Sequence, residues 1–205
     1  MLGLMQDWPL LCHRIIEHAA QVHGHREVVT RSVEGSIHRT NYRDIHERAL
    51  KVSQALDRES IRFGDRIATI AWNSWRYLEC WYGIMGIGAI CHTVNPRLFP
   101  EHIAWIVNRA QDRIVITDVT FVPLLEQVAA KMPNVERFVV LTDKAHMPGT
   151  KLKNAIAYEE WIAECDGDFK WKTFDEKTAA AMCYTSGTTG DQACCIPTAP
   201  TSSIH

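Results

Sequence analysis

The order of the predicted elements indicates an α/β fold, a layered sheet with flanking helices. Short apolar runs typical of strands alternate with amphipathic helical runs along most of the 205 residues. This alternation is typical of right-handed crossover units, which build a parallel sheet. Apolar residues make up 46% of the chain and charged residues 22%, the balance of a globular protein with a substantial core.

The amino-terminal part predicts a helix, a hairpin and a second helix. Residues 10–22 have helical periodicity. The predicted apolar stripe of this helix comprises Leu11, Ile15, His18 or Ala19, and Val22. Residues 27–32 and 36–40 indicate two strands that turn at Glu34-Gly35. Asn41 is a suitable N-cap for a helix that extends to about Arg58.

The central part predicts repeated strand–helix units. The expected strands are residues 66–71, 89–94, 113–117 and 137–141, short apolar runs of the kind buried in parallel sheets. One helix is expected from an Asn73 or Ser74 cap to about Met85, ended by Gly86 and Gly88. Another begins at Pro100, where a missing N–H costs nothing, and a third extends to about Lys131.

The last part predicts a polar connection over residues 146–153, a helix near 158–164 and a loop over 166–175. Phe169, Trp171 and Phe174 are expected to pack this loop against the body. A final strand, residues 178–185, leads into a segment rich in glycine and hydroxyl residues. No linker divides the chain, so we expect a single domain.

Composition disfavours several classes of protein. A net charge of −2 gives no electrostatic basis for binding nucleic acid or an anionic membrane. Charges that alternate in sign, as in residues 43–48, indicate a solvated helix face. No apolar run is long enough to span a bilayer, and no signal peptide is recognised. Seven cysteines without a C-x-x-C spacing indicate free thiols and a cytoplasmic protein.

Residues 184–190 read Tyr-Thr-Ser-Gly-Thr-Thr-Gly and follow an apolar strand. A glycine-rich turn after a strand exposes successive backbone N–H groups to an anion, and its hydroxyls add further donors. The pattern predicts a phosphate-binding loop; an ordinary Ser/Thr/Gly turn is the alternative. A Walker-type NTPase is disfavoured, because its loop needs a lysine and none follows Gly190.

The letters of this loop resemble the phosphate-binding signature of adenylate-forming enzymes, which include acyl-CoA synthetases, luciferases and peptide-synthetase adenylation domains. Residues 40–42, 64–68 and 83–98 resemble further segments of that family, in the same order. Residues 72–73 and 92–100 are most similar to bacterial fatty-acyl-CoA synthetases, a branch with ligases for methylthio-propionate and medium-chain acids. The resemblance covers residues 1–190 and implies that they are an incomplete amino-terminal portion of the large AMP-binding domain of acyl-CoA synthetases, followed by an aberrant tail over residues 191–205.

The resemblance implies a two-step reaction that uses Mg²⁺, ATP and coenzyme A. A fatty or related carboxylic acid attacks the α-phosphate of Mg-ATP to give an acyl-adenylate, and the CoA thiol then displaces AMP. No catalytic residue and no metal ligand is carried over from the family. The residues that match the loop holding the β- and γ-phosphates are Thr185, Ser186, Gly187, Thr188, Thr189 and Gly190.

After Gly190 the chain departs from the family pattern, which continues with Pro-Lys-Gly after one variable residue. The codons of residues 194–204, read one nucleotide earlier, permit the family's continuation, so we hypothesise a frameshift just after Asp191. The expectation is an inactive, aggregation-prone amino-terminal fragment. The alternatives are a non-catalytic module that binds a partner or a nucleotide, with homodimerisation through an exposed sheet edge, and a gene product without function.

Three other candidates have ordinary explanations. His18, His23 and His25 lie near one helix end, but they lack the spacing and fourth ligand of a metal site. Cys183 is expected to be a small buried hydrophobe rather than a nucleophile. Arg97 follows a strand end and is interpreted either as a ligand contact or as part of a loop-fixing salt bridge.

Overall fold

The protein is represented by a computed structural model that describes residues 3–4, 7–185 and 192–197. Its helices are α1 (His13–His23), α2 (Tyr42–Arg58), α3 (Trp75–Gly86), α4 (Pro100–Ala110), α5 (Val122–Val128) and α6 (Tyr158–Ala163). Its strands are β1 (Glu27–Arg31), β2 (Ile37–Asn41), β3 (Arg66–Ile70), β4 (Ile90–Thr93), β5 (Ile114–Thr117), β6 (Arg137–Val140), β7 (Ala155–Ala157), β8 (Ala179–Thr185) and β9 (Gln192–Pro197).

The predicted α/β class is confirmed. Strands β1 and β2 form a separate antiparallel hairpin, and the other strands form one sheet in the order β7-β6-β5-β3-β4-β8-β9. Every neighbouring pair from β7 to β8 is parallel, whereas β9 pairs antiparallel with β8. The carboxyl ends of the parallel strands therefore share one edge of the sheet, where proteins of this class bind ligands.

Both faces of the sheet are covered. On one face, α2, α3 and α6 pack against side chains such as Ile67 and Val139. On the other face, α4 and α5 pack against the alternate strand residues, such as Ala68 and Phe138. This two-sided burial explains why the strands are short continuous apolar runs rather than alternating ones.

Local signals explain where the helices begin. The Asn41 side chain accepts a hydrogen bond of 3.0 Å from the Asp44 backbone N–H and caps α2. The Ser74 hydroxyl accepts one of 3.2 Å from Tyr77 and caps α3. Pro100 occupies the first turn of α4, as expected. The chain leaves α3 through Gly88 at φ +73°, a backbone conformation that glycine adopts without strain.

The predicted apolar stripe of α1 is wrong by one residue. The helix begins at His13 and buries His13, Ile16 and Ala20, whereas Ile15 and Val22 are 64% and 54% exposed. The prediction includes Leu11 in the stripe; Leu11 is buried, but it precedes the helix and does not share its phase. His13 completes the buried face because aromatic rings of a distant segment cover it.

Two other differences concern short elements. Strand β7, with three residues, was not predicted and closes the sheet beyond β6. The helix expected to end at Lys131 is divided into α5 and two flanking 3₁₀ turns, Val119–Phe121 and Ala129–Lys131. Among the helices that the structure describes, none combines the length and apolarity needed to cross a bilayer.

The segment before β8, residues 166–177, crosses the outside of the helices, and we call it the strap. Its Trp171 indole N–H donates a 2.7 Å hydrogen bond to the Ser53 hydroxyl, which donates to the Gly83 carbonyl at 2.7 Å. The indole lies so close to Gly86 that a Cβ there would be 2.1 Å from Nε1. Phe174 packs edge-on against Phe63. The prediction that aromatic residues pack this loop down is confirmed for both rings.

Candidate functional site

Strand β8 brings the phosphate-loop signature to the carboxyl edge of the sheet. It lies beside β4, with Cys91, His92 and Thr93 in register with Ala181, Met182 and Cys183. Because β4 and β8 are parallel, Thr93 and Thr185 end their strands at the same edge of the sheet. Thr185, the first of the predicted site residues, is the last residue of β8.

The other predicted site residues, Ser186, Gly187, Thr188, Thr189 and Gly190, lie outside the described residues. What the structure gives is the frame around them. Thr185 is in register with Gln192 at the start of β9, so both ends of the 186–191 segment are held at the spacing of paired strands. The segment is thus a six-residue connection between two hydrogen-bonded strands.

Small polar side chains line the sheet just below this connection. Thr69, Thr93 and Cys183 occupy one row across β3, β4 and β8. The Thr93 hydroxyl lies 2.8 Å from the Cys183 sulfur, and the Thr69 hydroxyl lies 3.0 Å from that of Tyr77. Cys183 is half-buried and touches a hydroxyl, so it is less enclosed than the expected small buried hydrophobe. Sequence reasoning missed this row because it depends on strand register.

The opposite side of the same strands is aromatic. The Tyr184 ring lies 5.4 Å from the His92 ring and 6.1 Å from the Trp105 ring of α4. His92 Nδ1 lies 2.6 Å from a carboxylate oxygen of Asp112, and both side chains are fully buried. Burial raises the pKa of the Asp112 carboxyl, and the hydrogen bond to His92 opposes that rise. The sequence offers no local sign of this pair.

Arg97 lies beyond the end of β4, on the edge that the loop signature also reaches. The Arg97 backbone N–H donates a 2.9 Å hydrogen bond to the Asn95 side chain, which fixes the turn after the strand. The Arg97 side chain is exposed and forms no ion pair with any residue that the structure describes. Within that part of the chain, the alternative of a loop-fixing salt bridge is therefore not supported.

The carboxyl ends of β3, β5 and β6 are closed by the protein itself. At β5, the Asp118 carboxylate accepts a 2.5 Å hydrogen bond from the Trp72 backbone N–H, and burial raises the pKa of Asp118 to about 6. At β6, the Thr142 hydroxyl donates to Glu34 of the hairpin turn at 2.9 Å. Arg76 pairs with the same Glu34 carboxylate at 2.8 Å. These contacts cover the edge at β5 and β6, whereas β8 ends beside β4.

A polar cleft of about 690 Å³ lies between the hairpin and α2 and α3. Its inner arginines, Arg48 and Arg76, are neutralised: Arg48 pairs with Glu79 and Glu159, and Arg76 with Glu159 and Glu34. Burial raises the pKa of the Glu79 carboxyl, and the Arg48 charge opposes that rise. The cleft is therefore a poor phosphate site. Arg48 also corrects the prediction of a wholly solvated helix face, since it turns inward.

Metal-ligating side chains are not grouped in the described part of the chain. Among residues 3–4, 7–185 and 192–197, no three His, Cys, Asp or Glu side chains come close enough to hold one ion. The His18 and His23 rings lie 6.1 Å apart, edge to face. The described residues thus offer no site of their own for Mg²⁺, and no chemical step is assigned to an ion held by them.

Comparison with known proteins identifies the family of this chain. The model of the AMP-binding enzyme family matches residues 16–199. The chain is 42% identical over 190 residues to a 3-methylmercaptopropionyl-CoA ligase of Ruegeria lacuscaerulensis, covering 93% of this chain and 35% of the relative. It is 40% identical over 191 residues to a medium-chain-fatty-acid–CoA ligase of Ectopseudomonas oleovorans, with the same coverage of each.

Solved structures show the same fold at lower identity. An anthranilate CoA ligase in complex with anthranoyl-AMP superposes with a TM-score of 0.81 at 22% identity, covering 94% of this chain and 36% of that one. A long-chain-fatty-acid-CoA ligase from Archaeoglobus fulgidus gives 0.76 at 19% identity, covering 96% and 39%. The chain spans about a third of the length of the curated relatives that it matches. The family match over most of its length shows that this chain belongs to the AMP-binding enzyme family, among relatives that are acyl-CoA ligases.

Proposed function

We propose that this chain carries the phosphate-binding part of an AMP-forming acid–CoA ligase. The observation that carries the proposal is the position of β8, which ends beside β4 at the carboxyl edge of the sheet and leads directly into the loop signature. In the intact protein the substrates are Mg-ATP, coenzyme A and a carboxylic acid. Relatives named for methylmercaptopropionyl, medium-chain and long-chain acids favour a fatty or related acid.

The proposed ligands of the β- and γ-phosphates are the six residues of the loop signature. Backbone N–H groups and hydroxyls of such a loop bind phosphate oxygens without a counter-charge of their own. Mg²⁺ enters as part of the Mg-ATP substrate. Arg97 is a candidate for a further contact, because it is an exposed cation on the adjoining strand end. The proposed set is Thr185, Ser186, Gly187, Thr188, Thr189 and Gly190.

The chemistry makes use of this placement. A carboxylate oxygen forms a bond to the α-phosphorus while the bond from that phosphorus to the bridging oxygen breaks, and the electron pair leaves on pyrophosphate. Donors fixed around the β- and γ-phosphates stabilise the charge that develops on the leaving group. In the second step the CoA sulfur attacks the acyl carbon, and AMP leaves with the former carboxylate oxygen. Nothing among the described residues is assigned to that second step.

We propose that the 205-residue chain alone does not complete the first step. The segment from Asp191 to His205 contains no lysine, so the charged phosphate contact expected after the loop is missing. Such a charge-assisted hydrogen bond contributes about 1.5–3 kcal/mol. We interpret residues 1–190 as a partial AMP-binding domain and residues 191–205 as an out-of-frame tail. The coding DNA tests this, because the interpretation requires an alternative frame that encodes Pro-Lys-Gly and its continuation.

Titration calorimetry with Mg-ATP on the purified chain tests the proposed function. We expect weak binding, and Thr188→Val should reduce the affinity about tenfold by removing one hydroxyl donor. Thr178→Val, which lies just before β8 and far from the loop signature in sequence, is the matched control and should bind as the wild type does. No binding by the wild-type chain would refute the phosphate-binding role. Carboxylate-dependent exchange of ATP with pyrophosphate by the chain would refute its inactivity.

Location and assembly are part of the same proposal. The cysteines at positions 80, 91, 165 and 183 are free thiols, which is compatible with a reducing, cytoplasmic setting. The sheet ends on one side at β7 and on the other at β9. An unpaired strand edge is a surface through which a homodimer can form. Sedimentation equilibrium of the chain distinguishes a dimer from a monomer.

A further inference from the structure

The outer side of the hairpin is an unpaired strand edge. Among the strands that the structure describes, β1 has β2 as its one neighbour. At the two ends of this pairing, the Ser32 N–H donates to the Ser36 carbonyl at 2.8 Å and the Tyr42 N–H to the Arg26 carbonyl at 3.3 Å. Hydrogen-bonded positions alternate along an antiparallel pair, so the even-numbered residues of β1 bond to β2. The residues whose N–H and C=O groups point away from β2 are Glu27, Val29 and Arg31.

This edge has free space and an apolar wall beside it. Backbone groups elsewhere in the described chain do not bond to the outward N–H and C=O groups. A groove of about 520 Å³ lies between β1 and α3, and its wall includes Tyr77, Leu78 and Trp81. The described residues that line it carry no charge, so an incoming strand would not bury a charged group of the groove. An unpaired strand edge beside such a groove is a site to which another strand can add.

The side chains of β1 complement a second copy of the same strand. Glu27, Val29 and Arg31 all lie on the exposed face of the hairpin. Two copies that pair antiparallel about Val29 place Glu27 of each copy opposite Arg31 of the other, and opposite charges at facing positions stabilise a strand pair. Arg31 forms no ion pair within the described part of the chain. Glu27 bonds to Arg39 through Oε2 at 2.7 Å, which leaves Oε1 for a second partner.

The backbone groups select the same register as the charges. With Val29 at the centre, each outward-facing residue of one copy lies opposite an outward-facing residue of the other, so the two edges can exchange hydrogen bonds. A pairing centred on Glu27 or on Arg31 would place like charges opposite each other, which is destabilising. A parallel alignment in register would bring the two copies of Glu27 side by side. Charge and hydrogen bonding therefore agree on the antiparallel register about Val29.

The other strand edges lack this complementarity. The outer edge of β2 is centred on Arg39, and a symmetric pairing there would oppose two arginines. Strand β7 has three residues and offers few hydrogen bonds. Strand β9 ends at Pro197, which has no N–H. Of the edges that the structure describes, that of β1 is the best suited to pairing with itself.

We propose that a second copy of this chain adds to the outer edge of β1, with the two strands antiparallel about Val29. The product is a continuous sheet in the order β2-β1-β1-β2 with a two-fold axis at Val29, so both copies use the same surface. The hairpin shares no strand with the sheet that carries the loop signature, and this surface is therefore separate from the proposed nucleotide site. The homodimer considered above thereby acquires a defined edge and register.

Exchange of charges tests the register in the full 205-residue chain. Glu27→Arg and Arg31→Glu each place like charges opposite one another, and each variant should self-associate about tenfold more weakly than the wild type in sedimentation equilibrium. An equimolar mixture of the two variants restores both opposite pairs and should form a heterodimer. The double variant E27R/R31E should dimerise as the wild type does. Arg109→Glu, at an exposed position of α4, controls for net charge and should leave association unchanged.

A proline substitution tests the backbone pairing. Because the Val29 N–H points outward, V29P removes the central hydrogen bonds of the dimer and keeps those between β1 and β2. We expect V29P to sediment as a monomer with the circular dichroism spectrum of the wild type. V28P is the matched control for the hairpin itself, because it removes a hydrogen bond to β2 and should lower the Tm.

Amide hydrogen exchange gives a direct readout of the edge. The N–H groups of Glu27, Val29 and Arg31 should exchange about tenfold more slowly at concentrations that favour the dimer, whereas those of the even-numbered residues of β1 should not change. A wild-type chain that stays monomeric up to about 1 mM would overturn the proposal. Dimerisation that persists in V29P, or a mixture of E27R and R31E that forms no heterodimer, would overturn it as well.

The same variants keep this proposal apart from the proposed function. Calorimetry should show equal Mg-ATP affinity in the wild type, E27R, R31E and V29P, because none of the substitutions touches the loop signature. If the wild type fails to bind Mg-ATP, the proposed function fails while sedimentation still decides the pairing of β1. If Mg-ATP binds and the chain remains a monomer, the function stands and the pairing is refuted.

Discussion

Substitution of Gly86 by alanine should destabilise the protein by displacing one side chain of the strap. A Cβ at this position would lie 2.1, 2.3 and 2.4 Å from three atoms of the Trp171 indole. Such distances do not occur between real atoms, so the indole must move. Gly86 does not have a positive φ, and the backbone itself therefore accepts alanine. The cost arises entirely from the lost position of Trp171.

The magnitude follows from what the indole contacts. Its hydrogen bond to Ser53 contributes about 1 kcal/mol. Removing a fully buried tryptophan costs about 3–5 kcal/mol, and Trp171 is only half-buried, so about 2 kcal/mol is at stake in its packing. Alanine regains up to about 1 kcal/mol through its higher helix propensity. The net expectation is a loss of about 2 kcal/mol, or roughly 4–8 °C in Tm for a chain of this size.

Urea denaturation followed by circular dichroism measures the change. Gly149→Ala is the matched control, because a Cβ there meets nothing within 4 Å, and we expect a change within about 0.5 kcal/mol. The decisive comparison uses a W171A background, in which G86A has no indole to displace. There the sign should reverse, and G86A should stabilise by up to about 1 kcal/mol. An equal loss in both backgrounds would show that the reasoning about Trp171 is wrong.

Three further outcomes are expected. Burial lowers the pKa of His13 from 6.5 in the unfolded chain to about 4 in the folded protein. Between these two values the unfolded chain binds a proton on His13 and the folded protein does not. The free energy of unfolding should therefore fall by roughly 3 kcal/mol as the pH drops from above 6.5 to 4. His13→Gln should flatten that slope in denaturation curves measured across the range, and an unchanged slope would exclude His13 as its source. Asn41→Ala should cost about 1 kcal/mol by leaving the Asp44 N–H uncapped, whereas Asn41→Ser should restore most of it. Arg97→Ala should weaken Mg-ATP binding about fivefold without altering Tm; the exposed Arg109→Ala is the control, and equal affinities would remove Arg97 from the site.

The parts of the fold that sequence reasoning predicted well depend on contacts close in the chain. Caps such as Asn41 and Ser74 act within three residues, and apolar runs such as β3 and β5 identify buried strands directly. Strand β7 was not predicted because three residues are too few to show an apolar periodicity. The face of α1 was misjudged because its burial depends on aromatic rings of the strap, far away in sequence.

The same distinction applies to the candidate site. The loop signature is local and was recognised from its letters, but its surroundings are not local. The contact between Thr93 and Cys183 joins residues 90 apart, and the pair of His92 and Asp112 connects β4 to the turn before β5. The sequence places a histidine in one apolar run and an aspartate before the next apolar run. It does not indicate that the two side chains are in contact until the strand order is known. Buried polar pairs of this kind are therefore found only after the sheet has been assembled.

The strand order also has a consequence for how the protein folds. Strand β4 has its inner neighbour β3 early in the chain, but its outer neighbour β8 follows about 90 residues later. At ribosomal rates of about 5–20 residues per second, β4 remains an unpaired edge for roughly 5–20 s of synthesis. During that interval the nascent sheet presents a strand able to pair with another chain, and docking of β8 is the non-local step that ends it. The strand that carries the nucleotide signature is thus also the one whose arrival protects the growing sheet from aggregation.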